Sequence, residues 1–193
     1  TSLTQSIIDD VDSAGDNIYN TMSTSSANNI EFYTSTNGSN NSGFLTNHVL
    51  SGQTMITITR EGTVAKCYIN DQLANTGTAT DLFNNTTHPL RFGGDLTAGG
   101  EWANGQMTFP KIRKGKALSL AEVVEQYNNG VPKCYDNLST ALTDNMVCAP
   151  DFGTYNGSSE TQALTDRSGT VGVATKINGT TFTDQGLTVE CTS

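Results

Sequence analysis

Residues 54–73 read TMITITREGTVAKCYINDQL, and their pattern decides the fold. Over 54–60, the apolar Ile56 and Ile58 alternate with the polar Thr57 and Thr59. Glu61-Gly62 then supplies a turn signal, and alternation resumes over 64–70. Period two sends successive side chains to opposite sides of a strand, so the two runs predict a β-hairpin. Ile56 and Ile58 fall on one face and Thr57 and Thr59 on the other, while Cys67 and Ile69 lie opposite Tyr68. That division predicts a sheet with one buried face and one wet face.

Outward from the hairpin, further short strands are expected at 29–34, 44–49, 90–93, 107–113, 170–177 and 187–191. Asn-Gly dipeptides at 37, 104, 129, 156 and 178 punctuate the chain as turns. One helix stands out at 120–128. Ser119 and Glu122 have the spacing of a capping box, and Asn129-Gly130 supplies a left-handed stop. Leu120, Val123, Val124 and Tyr127 fall at helical spacing and are expected to lay an apolar stripe on the sandwich edge. The acidic stretch 4–22 reads as strand, loop or helix. Many short strands with regular turn signals indicate an all-β fold, a two-sheet antiparallel jelly-roll sandwich with one short helix.

Composition narrows the classes of function. Only 15% of the 193 residues are charged and the formal net charge is -9, with ten Lys and Arg in all. Such a field repels phosphate backbones, which argues against nucleic-acid binding. No apolar run approaches the roughly 18 residues that a membrane span needs, and no signal-peptide pattern follows Thr1. A start at Thr in place of Met is what a processed product would have.

The four cysteines, Cys67, Cys134, Cys148 and Cys191, form no C-x-x-C pair and have no His placed to complete a zinc site. Disulfides are expected, with Cys134–Cys148 closing a short polar loop and Cys67–Cys191 fastening the C-terminus to the middle of the chain. Buried free thiols are the alternative. Glycosylation acceptor patterns occur at Asn37, Asn40, Asn84, Asn85, Asn137, Asn156 and Asn178, mostly in Gly- or Asn-rich turns where a sugar fits on the surface. Paired cysteines and surface acceptors together point to a secreted or extracellular-surface location.

Residues 52–130 resemble the laminin G-like branch of the concanavalin A-like lectin/glucanase fold. The resemblance lies in the hairpin ITITREGTVAKCYINDQL, the later strand LRFGG, and the strand-plus-helix segment MTFPKIRKGKALSLAEVVEQYNNG. Asp71-Gln72 departs from it, standing where the family has a Gly after its acidic residue. Residues 164–190, LTDRSGTVGVATKINGTTFTDQGLTVE, are similar to the opening of such a domain, with Asp166-Arg167-Ser168-Gly169 as its turn. The opening therefore comes last. The resemblance implies one domain over 1–193, in which residues 136–193 complete the same or a neighbouring subunit. An internal permutation, donation of the terminal strands to a neighbour, and an excerpt from a tandem array all fit, because a sandwich lacking its edge strands exposes an unpaired ladder.

Catalysis finds little footing. Glucanases of this fold need carboxylates in an E-x-D-x-x-E or E-x-D-x-E series, and no such alternation exists here. Glu122 and Glu125 lie on the capped helix, and His48 and His88 accompany no nucleophile elbow. The Gly93-Gly94 and Gly99-Gly100 pairs lack the frame of a phosphate loop. No cofactor is required; calcium is the metal that the resemblance admits, with Asp95 and Asp166 in family-like turns as its ligands. Asp9, Asp10, Asp12 and Asp16 fail the EF-hand pattern. Lys111, Arg113, Lys114 and Lys116 gather four of the ten basic residues. They read as a solvated strand edge or as an acidic-glycan patch, to which Trp102 would add a stacking surface.

The expected function is a non-catalytic extracellular structural or adhesive jelly-roll subunit, self-associating through exchanged terminal strands into a polymer or filament. The alternatives are a monovalent glycan-binding lectin module and a virion surface or capsid-associated protein.

Overall fold

The computed structural model of the chain describes residues 5–11, 19–24, 29–35, 41–50, 52–79, 91–93, 105–131, 133, 135–150, 152, 164–170, 180–183 and 186–189. The chain divides into two compact units, Thr1–Ala103 and Asn104–Ser193. All strand pairings in both are antiparallel, as expected of the all-β class.

The first unit is one eight-stranded sheet. Its strands are β1 (Gln5–Val11), β2 (Tyr19–Thr24), β3 (Asn29–Ser35), β4 (Asn41–Val49), β5 (Ile56–Glu61), β6 (Val64–Ile69), β7 (Gln72–Thr78) and β8 (Arg91–Phe92). They lie in the order β5-β6-β7-β4-β3-β2-β1-β8. The described residues of the 4–22 stretch, 5–11 and 19–22, are strand. The hairpin β5–β6 forms as its alternation predicts, with Ile56 opposite Ile69 and Ile58 opposite Cys67. Gly62 takes positive φ (58°) as the first residue of the two-residue loop between Glu61 and Val64, the conformation that a tight hairpin requires. At the next turn Asn70 (φ 58°) takes the left-handed position, so a Gly after the acidic residue is not needed. Asn70 Oδ1 also accepts from Met55 N–H at 3.0 Å, and Asn70 N–H donates to the Met55 carbonyl at 2.7 Å, which closes the open end of the hairpin.

Ile30, Ala65, Cys67, Ile69 and Ala79 form the core of this unit, with Ile7, Phe32, Leu50, Ile56 and Ile58 packed around it. Each large aliphatic side chain removed from water contributes roughly 1.5–3 kcal/mol. The opposite face of the hairpin is only partly wet: Glu61, Val64 and Lys66 are exposed on it, but its other half is covered. Thr57, Thr59 and Tyr68 are buried, and Thr57 Oγ1 has no hydrogen-bond partner among the described residues. Alternation separates the two faces but does not tell whether the more polar one is covered.

The second unit holds β9 (Gly105–Met107), β10 (Ile112–Arg113), α1 (Leu120–Tyr127), α2 (Thr140–Thr143), β11 (Met146–Cys148), β12 (Thr180–Thr183) and β13 (Gly186–Val189). The strand expected at 107–113 is broken in two, with Pro110, which has no N–H to donate to a ladder, between the pieces. β10 pairs with β11, and β9 pairs with β13 of the β12–β13 hairpin. Strands that follow α1 in sequence therefore complete sheets begun by strands that precede it.

The capping box of α1 is present: Ser119 Oγ accepts from Glu122 N–H, and Glu122 Oε2 accepts from Ser119 N–H at 2.8 Å. The helix is turned differently from the expected stripe. Val123 and Gln126 are its buried residues, whereas Leu120 and Val124 are exposed. Gln126 tolerates burial because its Oε1 accepts from Arg113 Nη2 at 3.2 Å.

Glu122 also pairs with Lys116. The Lys116 ammonium, then the Ser119 N–H, hold its carboxyl down to about 2 from an ordinary 4.5. A depressed acid stabilises the fold at neutral pH, and that contribution is lost as pH falls from about 4.5 through about 2. Glu122→Gln is expected to cost about 0.5–1 kcal/mol at pH 7. Thermal unfolding scans of the two proteins should converge at the acid end of that window.

Candidate functional site

The basic run 111–116 gives the second unit its main polar constellation. Three of its four cations bind carbonyls and acids of their own unit. Arg113 Nε donates to the Leu142 carbonyl at 2.8 Å, and Lys116 Nζ donates to the Ala141 carbonyl at 2.7 Å. Both acceptors belong to α2, whose last carbonyls have no partners within the helix, so two cations cap it where its dipole favours positive charge. Burial lowers the pKa of the Arg113 guanidinium, against the raising influence of Glu122. Lys111 Nζ donates to the Phe109 carbonyl at 3.1 Å and stands 5.4 Å from the Phe109 ring centre, a cation–π distance. Lys114 is the exposed member of the run. The expected edge of solvated charges is thus a clamp joining β10, α1 and α2. Trp102 lies outside the described residues.

The second constellation centres on Asp166, which is buried. Oδ1 accepts from Ala149 N–H at 2.6 Å and from Ser168 N–H at 3.0 Å. Oδ2 accepts from Ser168 Oγ–H at 2.6 Å and from Thr170 N–H at 2.9 Å. Arg167 N–H donates to the Ala149 carbonyl at 3.0 Å, Pro150 and Asp166 form a β-bridge, and Gly169 supplies a left-handed residue (φ 73°). The Arg167 guanidinium pairs with Asp136. One carboxylate therefore closes its own turn and fastens residues 166–170 to the end of β11. The Asp-x-Ser-Gly spacing signals the turn; the tie to Ala149 has no local signal. Asp95 lies outside the described residues, and no group of three or more His, Cys, Asp or Glu among the described residues could hold a metal ion.

The cysteines depart from expectation. Cys67 and Cys148 are buried free thiols. Cys134 and Cys191, the partners expected for them, lie outside the described residues. Cys67 points into the apolar core of the first unit, where a thiol packs as a small hydrophobe. Burial pushes its pKa up to about 12. Burial, and then the charge of Asp166, push Cys148 up to about 11. The thiolate is the reactive form, so both are expected to resist alkylation at pH 8 in the native chain and to label promptly in denaturant. Mass spectrometry of the labelled peptides checks this.

Of the glycosylation acceptors, Asn137 is described. It is exposed at the end of a short 3₁₀ turn, Tyr135–Asn137, while Ser139 Oγ of the same acceptor triplet is buried and makes no hydrogen bond among the described residues. Asn37, Asn40, Asn84, Asn85, Asn156 and Asn178 lie outside the described residues.

A family model for the concanavalin A-like lectin/glucanases superfamily, of laminin G type, matches residues 1–124. Among solved structures, an S-layer domain-containing protein (residues 221-444) from Clostridium thermocellum ATCC 27405 is similar at 19% identity and a TM-score of 0.36. The match covers 66% of this chain and 64% of that one. A search of curated proteins finds no match.

Proposed function

Because the chain belongs to the concanavalin A-like lectin/glucanases superfamily, we propose that it is a non-catalytic structural or adhesive building block of an extracellular surface, one laminin G-like domain whose tail, residues 136–193, completes its sheets. The observation that carries this reading is the pairing of β11 with β10 and of β13 with β9. The tail works by strand addition. A contact made mostly of backbone ladders and one buried turn is transferable: the same pairing formed with the next copy gives a head-to-tail contact that propagates. The use of Arg113 and Lys116 to cap α2 supports a structural task for the basic run over capture of an acidic glycan.

The test is the native mass by light scattering over a wide concentration range, with negative-stain microscopy and a glycan array on the same preparation. Concentration-dependent growth into fibres without saturable sugar binding is expected. A monomer at every concentration that binds one glycan class saturably would establish the lectin reading in its place.

A further inference from the structure

The eight-stranded sheet is two meanders joined at one point. Within β1–β4 and within β5–β7, each strand pairs with the next in sequence through six register pairs. β4 and β7 are neighbours in the sheet but not in the sequence, and among the described residues they share one register pair, Gly43 with Thr78. Along the rest of this seam, backbone donors turn to side chains of their own strand. Ala79 N–H donates to the Thr63 carbonyl at 2.9 Å, so by alternation along β7 the amides of Thr76 and Thr78 face β4. Thr76 N–H donates to Asn75 Oδ1 at 2.7 Å, and on β4 His48 N–H donates to Thr46 Oγ1 at 3.3 Å. At the far end of the seam, Val49 and Leu73 are each 52% exposed.

Apart from that pair, the two meanders are held by the apolar core. Ile7, Ile30 and Phe32 of the first lie in one cluster with Ala65, Cys67 and Ile69 of β6. We propose that the sheet parts along the β4–β7 seam as a discrete event short of unfolding, in which both meanders keep their ladders and Cys67 becomes open to solvent. Unfolding must break the core contact and every ladder, whereas parting breaks the core contact and one register pair, so it lies lower in free energy. Each meander joins strands that are consecutive in the chain, so its ladders close short loops and cost little entropy to keep. Cys67 is paired with Ile58 inside its own meander, and the cover it loses on parting is that of β1 and β3. Burial, which pushes this thiol up to about 12, ends at the same moment, so its thiolate fraction at pH 8 rises as it is uncovered. The device is a concealed thiol, inert while the sheet is whole and reactive once it has parted, in a chain that is otherwise folded.

The experiment treats the full chain with iodoacetamide at pH 8 over a series of urea concentrations below the unfolding midpoint. Mass spectrometry follows the tryptic peptide 67–91, and hydrogen exchange is recorded at the same concentrations. The expected result is Cys67 alkylation that quickens with urea while amides of the β5–β6 ladder stay protected. Alkylation that begins only where those amides lose protection would mean that the thiol is uncovered by unfolding alone, and the proposal is overturned. Alkylation with no dependence on urea would report a small local fluctuation, since parting exposes core surface, and overturns it equally. Gly43→Ala strikes the one register pair and should quicken alkylation at least about tenfold with β5–β6 protection retained. Thr78→Pro is the milder variant: it removes an N–H that faces β4 and none that faces β6. A rate in Thr78→Pro equal to that of the parent would show that the seam does not control access to Cys67.

Discussion

Replacing Gly43 with alanine is expected to remove about 3–5 kcal/mol of stability, a loss reserved for substitutions that force backbone apart, and a large share of the 5–15 kcal/mol typical of a folded domain. Gly43 is where two halves of the eight-stranded sheet meet. It stands opposite Tyr33 of β3 on one side, and opposite Thr78 it makes the single register pair that joins β4 to β7. A Cβ at this position would be driven into the Phe32 carbonyl oxygen and would lie 2.9 Å from both the Phe32 carbonyl carbon and Tyr33 Cα. These are backbone atoms of a paired strand and cannot swing aside as a side-chain tip would. Relief requires β4 to move away from β3 at the residue that holds β7, so the meander β5–β6–β7 loses its tie to β4. Gly105→Ala is the matching control: Gly105 is an exposed strand residue with nothing within 4 Å of the added atom, and a change within about 0.5 kcal/mol is expected. Denaturant midpoints of the two variants decide the matter. Equal midpoints would show that β4 and β7 do not depend on close approach at Gly43.

The features legible in the sequence are those settled by neighbours along the chain. Period-two alternation over 54–70 is enough to place β5 and β6 and their facing residues, because the pleat alone determines which side chains share a face. The capping box is equally local, since Ser119 and Glu122 satisfy each other across one turn. Features that depend on distant partners stay hidden. Val124 reads as part of the apolar stripe but is exposed, while Gln126, outside that stripe, is buried where Arg113, 13 residues away in sequence, brings its amide a donor. Pro110 is visible in the sequence as a residue that cannot join a ladder, and it outweighs the apolar character of the 107–113 run. Cys67 shows the limit of reasoning from cysteine counts. An even number suggests pairing, yet its position beside Ala65 and Ile69 on an inward strand makes it core. In the candidate site, Asp166 is recognisable as a turn residue, but its burial depends on Ala149, 17 residues away.

That separation makes Asp166 the residue whose loss should most affect the tail. Asp166→Ala leaves the Ala149 N–H, itself buried, without an acceptor and removes the acceptors of Ser168 and Thr170 at once. One buried donor left unpaired costs about 1–3 kcal/mol, and hydrogen bonds to a charged acceptor are the stronger kind, so a total of about 3–5 kcal/mol is expected. Asp166→Asn should be milder, about 1–2 kcal/mol. Its one remaining oxygen can still accept from Ala149 and Ser168, and Ser168 Oγ can reverse to accept from the new amide, but Thr170 N–H meets a donor. Two measurements separate a local from a global effect. Denaturant unfolding reports the total, and hydrogen exchange at Ala149 and Thr170 reports the turn itself; unchanged protection at Ala149 would show that the carboxylate does not hold the tail there. The ordering matters for assembly because residues 166–170 are fastened directly to the end of β11, on the path between β11 and the β12–β13 hairpin. If that anchor guides the hairpin back onto its own β9, then Asp166→Ala frees it to pair with the β9 of another copy. Light scattering should find the variant more self-associated than the parent at equal concentration, even though each chain is less stable.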